Sequence, residues 1–133
     1  MMSFTRLIAL FLISTLLTAC QLTSQEHTQV IFKTDQLKQH HLSLNAGALF
    51  EDQNLILSGE VLPEHKQVHV DCGQLQFQIF DTKGVLLKTV TADYDPCHLH
   101  YKPNTRRTGK FSVVVDGVHS QALIIHTSLL IKQ

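Results

Sequence analysis

The chain lacks an excess of either charge, with 11 Lys and Arg set against 11 Asp and Glu in 133 residues. A nucleic-acid partner calls for a basic stripe or patch, so none is expected here. Arg106, Arg107 and Lys110 make one small basic cluster, which reads as a solvated loop. Catalytic punctuation is missing too: there is no Gly-x-Ser-x-Gly elbow, no phosphate-cradling glycine loop, and no His-x-x-x-His pair placed on a helix with a nearby Glu. An enzyme needs a converging nucleophile, base and orienting group, or a metal with an open site. The chain is therefore not expected to be an enzyme. Its longest apolar run, Leu7 to Leu17, is interrupted by Ser14 and Thr15 and falls well short of the roughly 20 apolar residues that span a bilayer. Beyond that run no helical period is convincing, although Asp35 to Leu44 could hold one short turn.

What the N-terminus does contain is a secretory pattern. Arg6 is the one charge before the apolar run, and the small residues Thr18 and Ala19 follow it. Leu17, Thr18, Ala19 and Cys20 resemble a bacterial lipobox, and in this respect the chain resembles the bacterial lipoproteins. The resemblance implies cleavage between Ala19 and Cys20, a diacylglyceryl thioether on the Cys20 sulfur and an acyl chain on its amine. Each buried CH₂ contributes about 0.8 kcal/mol, so several chains anchor stably where one is marginal. Gln21 follows the cysteine where Asp favours inner-membrane retention in proteobacterial lipoproteins, which points to the outer membrane, facing the periplasm. The expected organisation is a signal helix over 1–19, a lipidated cysteine and short tether over 20–28, and one domain over 29–133. A mature chain of about 114 residues suits a single domain.

That domain reads as strands. Gln74 to Ile79 alternates polar and apolar without a break, which points Leu75, Phe77 and Ile79 to one buried face. Asp81, Thr82, Lys83 and Gly84 make a hairpin loop, with Gly supplying a positive φ, and Val85 to Thr91 returns. Asn54 to Leu62 ends at Pro63, Lys110 to Asp116 turns at Gly117, and Gln121 to Ile131 closes the chain, with His126, Thr127 and Ser128 expected to bend or bulge it. Gln67 to Val70 and His27 to Lys33 complete the set. About seven short strands predict an all-β fold, an antiparallel immunoglobulin-like or transthyretin-like β-sandwich. Gly59 and Val61, Phe80 and Asp81, and Gly109 and Phe111 also resemble a pattern in small sandwich domains of bacterial surface lipoproteins. That similarity implies architecture and assigns no functional residue.

With Cys20 committed to lipid, Cys72 and Cys97 remain, an even count for an oxidising compartment. They flank the two strands of one hairpin, so both arrive at its open end and are expected to form a disulfide. Nine histidines are the one compositional hint of further chemistry. His98 and His100 share a strand face, and if the hairpin closes as expected, His69, Asp71, His98 and His100 gather near the bridge. Such a set suits Cu or Zn. Histidines on polar loops need no ligand, however, and the primary expectation is a domain without cofactor. The function expected is a non-catalytic interaction or structural module, tethered to a membrane through Cys20 and meeting an envelope protein partner. The Asp93 to Asn104 loop, with Tyr94 and Tyr101, and the face made by Gln74, Gln76 and Gln78 are the candidate surfaces. The alternative is a periplasmic Cu- or Zn-binding lipoprotein.

Overall fold

The fold described here is that of a computed structural model, which describes residues 29–65, 67–102, 105–106, 108–119 and 121–131. The signal helix, the lipobox and the tether expected over 1–28 lie outside these residues, as do Asn104 and Arg107.

Among the described residues there are ten strands and one helical turn: β1 (Val30–Lys33), α1 (Asp35–Lys38), β2 (Leu42–Glu51), β3 (Asn54–Pro63), β4 (His69–Val70), β5 (Gly73–Asp81), β6 (Leu86–Asp93), β7 (Leu99–Lys102), β8 (Thr105–Arg106), β9 (Gly109–Val115) and β10 (Leu123–Ile131). The fold is an all-β sandwich. One sheet runs β1-β10-β5-β6, the other β2-β3-β9, and a small third sheet runs β4-β7-β8. All pairings are antiparallel except β1 with β10, where Val30 stands beside Leu123 in a parallel ladder. The chain crosses between the two large sheets through α1, whose Leu37 is fully buried as the turn packs against β10 and β2.

Period-2 alternation builds the core. Leu75, Phe77 and Ile79 of β5 and Leu123, Ile125 and Leu129 of β10 face inward from the first sheet. Leu55, Leu57 and Val61 of β3 and Phe111 and Val115 of β9 face them from the second. Phe77 and Phe111 meet across the layers with ring centroids 5.3 Å apart. Each such side chain contributes about 1.5–3 kcal/mol by leaving water, and these layers hold the sheets together.

The hairpin between β5 and β6 forms as its residues dictate. The Asp81 carboxylate Oδ1 accepts hydrogen bonds from the Lys83 and Val85 amides at 2.9 Å each, and Gly84 takes φ +84°. The return strand begins at Leu86 and continues to Asp93, two residues past its expected end.

One expectation needs correction. β10 contains no bulge at His126, Thr127 and Ser128: its register with β5 is continuous from Leu123 opposite Asp81 to Ile131 opposite Gly73. The polar side chains at 126 and 128 face outward, and Thr127 takes an inward position, so the pleat is never broken. The irregularity lies instead between Ile79 and Phe80, in the pairing of β5 with β6. The short turn expected within Asp35 to Leu44 forms as α1, and β2, a ten-residue strand, follows in a stretch where no strand was expected.

The glycines of the surface-lipoprotein pattern sit where side chains do not fit. Gly59 lies opposite Ala46 on one side and Phe111 on the other, and a Cβ there would stand 2.1 Å from the Asn45 carbonyl oxygen. Gly109 lies opposite Val61, and a Cβ would stand 2.5 Å from the Tyr94 ring.

Candidate functional site

The residues that could carry chemistry collect on the β4-β7 ribbon. In an antiparallel pair, residues directly opposite one another point to the same side. His69 of β4 stands opposite His100 of β7, and Val70 stands opposite Leu99. The next two rungs keep the same order beyond the ladder. His98 Nδ1 lies 3.7 Å from Asp71 Oδ1, and Cys72 and Cys97 are joined in a disulfide with Cα atoms 4.6 Å apart. Alternation then separates the ribbon into two faces. Val70 and Leu99 are buried and the two cysteines half-buried on the inner side, while His69, Asp71 and His98 are exposed on the outer side. His100, half-buried, shares that outer side by register.

Asp71 is the node of the outer face. Its Oδ1 is 3.3 Å from His69 Nε2 as well as 3.7 Å from His98 Nδ1. The side chains of His69, Asp71 and His98 retain 66%, 75% and 62% of their exposure, so no desolvation penalty opposes a positive ligand approaching from solvent. The two sulfurs and a His98 ring nitrogen also lie within 4.8 Å of one another. Three ligand atoms so placed make a soft site only when both cysteines are thiols.

His69, Asp71, His98 and His100 therefore lie on one ribbon, with Asp71 close to His69 and to His98, whereas the three ligand atoms that lie within 4.8 Å of one another belong to Cys72, Cys97 and His98. His65, four residues before His69, belongs elsewhere: its ring packs on His41 at 4.8 Å between centroids. His126 packs edge-on against Phe80 at 5.0 Å.

The surfaces expected to meet a partner fare differently. Tyr94 is a core residue at 3% exposure, seated over Gly109, and is not available at a surface. The chain turns inward there because Asp95 and Lys110 exchange two backbone hydrogen bonds of 2.9 Å, which pull the end of β6 onto β9. Burial pushes the Tyr94 phenol above its ordinary range, and the nearby Gly73 backbone opposes the shift in part. The hydroxyl makes no hydrogen bond of ordinary geometry among the described residues. Tyr101 lies half-buried in β7. Gln74, Gln76 and Gln78 form the outer face of an interior strand and are half-buried by their neighbours, with Gln74 Nε2 donating to Asp93 Oδ1 at 2.8 Å.

The sequence pattern does not reveal the unpaired outer edge of β2. Leu42, Leu44, Ala46, Ala48 and Phe50 alternate as a strand requires, but Ala46 and Ala48 among them and Asn45 and Gly47 between them carry low β-propensity and mask the signal. Among the described residues no strand pairs with that edge.

No helix among the described residues is long and apolar enough to cross a membrane. Comparison with protein-family models, curated proteins and solved structures finds no match for this chain.

Proposed function

We propose that this protein is a lipid-anchored component of a bacterial envelope, held to the membrane through Cys20 on the periplasmic side of the outer membrane. Its sandwich acts as a non-catalytic docking module, and its partner is an extended segment of another envelope protein that adds as a strand to the edge of β2. The Leu17 to Cys20 sequence supports the anchor, and a disulfide fits an oxidising compartment.

The observation that carries the docking reading is the contrast between β2 and the other edges. Proteins guard sheet edges with lysines, prolines, bulges or short strands. β1 has four residues and ends in Lys33. β6 follows a register shift and is tied down by Lys88, whose ammonium donates to the Asp116 carboxylate and, at 3.0 Å, to its carbonyl oxygen. The edge of β9 is engaged by Asp95 through the backbone pairing at Lys110. β2 spans ten residues with no Lys, Arg or Pro, a single charge at Glu51, and Leu49 at 59% exposure. Strand addition satisfies such an edge with main-chain hydrogen bonds, and alternate side chains supply selectivity.

A photo-crosslinking residue placed at Asn45 or Leu49 in whole cells should yield an adduct with another envelope protein, whereas one at Thr89 on β6 should not. Equal adducts at all three positions, none at Asn45 and Leu49, or only a dimer of this chain would each overturn the docking reading. Membrane fractionation tests the anchor separately. The Cys20→Ser variant should leave the membrane fraction, and its retention there would rule lipid attachment out.

A further inference from the structure

We propose that the outer face of the β4-β7 ribbon is a divalent metal site, in which His69, Asp71, His98 and His100 bind one Cu(II) ion, with Zn(II) a weaker occupant. The position of each residue follows from one register. His69 and His100 are directly opposed. His98 lies two residues before His100 on the same face, and Asp71 two residues after His69. A strand pair thus presents three imidazoles and one carboxylate as a two-by-two array, with the carboxylate already within 3.3 Å and 3.7 Å of two of the imidazole nitrogens.

Two physical features favour a metal there over a chance cluster of polar side chains. First, the array is held at one end by a covalent rung, since Cys72 and Cys97 close the ribbon immediately beyond Asp71 and His98. The backbone entropy of bringing the two strands together is therefore met by folding and disulfide formation, and the ion has only the side-chain rotamers to order. Second, the disulfide leaves a donor set of imidazole nitrogen and carboxylate oxygen, and sites of that composition bind Cu(II) more tightly than Zn(II). The two sulfurs with His98 offer a competing soft site, but only after reduction.

Titration of the full chain in detergent, disulfide intact, with Cu(II) alone and with Zn(II) alone tests the assignment. One equivalent of Cu(II) should bind more tightly than Zn(II), and the Cu(II) electron paramagnetic resonance spectrum should carry hyperfine structure from imidazole nitrogens. His69→Ala and His100→Ala should each weaken Cu(II) binding by more than about tenfold, at least the effect of losing a supporting partner at a metal site. Asp71→Asn, which keeps the shape of the ribbon, should weaken it as well, and His126→Ala should not change it. Circular dichroism confirms that each variant remains folded. The proposal fails if the oxidised protein binds Cu(II) with a Kd weaker than about 100 μM. It fails equally if His69→Ala and His100→Ala bind like wild type, or if binding appears only after reduction, which would place the metal on Cys72, Cys97 and His98. None of these results bears on strand addition at β2, which lies on a different sheet.

Discussion

Replacing Gly59 by Ala should cost about 3–5 kcal/mol, and the structure says where that energy goes. An alanine Cβ at this position would lie 2.1 Å from the Asn45 carbonyl oxygen and 2.6 Å from the Ala46 Cα. Both are backbone atoms of β2, so no side-chain rotation relieves the overlap. Ordinary contact begins near 3.4 Å, which requires β2 and β3 to separate by more than an ångström at this rung. Ladder hydrogen bonds near 2.9 Å do not survive such a movement. Two lost bonds at about 1 kcal/mol each, added to an overpacking cost of about 1–3 kcal/mol, give the stated range. That is a large share of the roughly 5–15 kcal/mol by which a small domain is stable. The thermal midpoint should fall by about 10–25 °C. Gly47 supplies the control on the same strand pair. It stands opposite Ser58, and a Cβ there meets nothing within 4 Å. Gly47→Ala should leave stability unchanged or raise it by up to about 1 kcal/mol, because alanine has less freedom to lose in a strand. Urea unfolding followed by circular dichroism measures both variants. If Gly59→Ala unfolds within about 0.5 kcal/mol of wild type, or Gly47→Ala is as damaging, the close approach of β2 to β3 is wrong.

The remaining expectations concern the bridge and two buried hydroxyls. Cys72→Ser with Cys97→Ser should lower stability by about 3 kcal/mol, the loop-closure entropy of a crosslink 25 residues apart, and reduction of wild type should reproduce the loss in chemical denaturation. Thr127 is 1% exposed with a hydroxyl that finds no hydrogen-bond partner among the described residues, so Thr127→Val should be neutral or stabilising by up to about 2 kcal/mol; a clear loss in thermal midpoint would mean the hydroxyl is engaged. For Tyr94, burial holds the folded phenol above the value near 10 of the unfolded chain. Its contribution to stability is thus complete below about pH 10 and lost as pH rises through the folded value, because the unfolded state then releases the proton more readily. Tyr94→Phe should flatten the alkaline fall in unfolding free energy, and an unchanged pH profile would refute the assignment.

Much of the sandwich is legible in the residues. Gln74 to Ile79 is a strand because every second side chain is apolar, and all three of its inward residues are fully buried. Asp81 to Gly84 is a turn because a carboxylate caps the amides and a glycine takes the positive φ. The pairing of Cys72 with Cys97 follows from this hairpin, since strands of similar length bring their flanking residues to one end. Such features are encoded locally, within the reach of one strand or one turn.

Other decisions belong to the tertiary structure. β2 is a strand because β3 pairs with it along ten rungs and the core covers Leu42, and its own Ala, Gly and Asn content argues weakly for that conformation. Tyr94 is buried because the Asp95 and Lys110 pairing draws the end of β6 over Gly109, a contact that joins positions remote in sequence. The same holds for the outer face of the ribbon. Composition shows that histidines are abundant, and spacing places two of them on one side of a strand, but setting His69 beside His100 requires a register between strands thirty residues apart. Alternation along a strand determines which side chains share a face, whereas the partner across the ladder depends on how the whole chain packs.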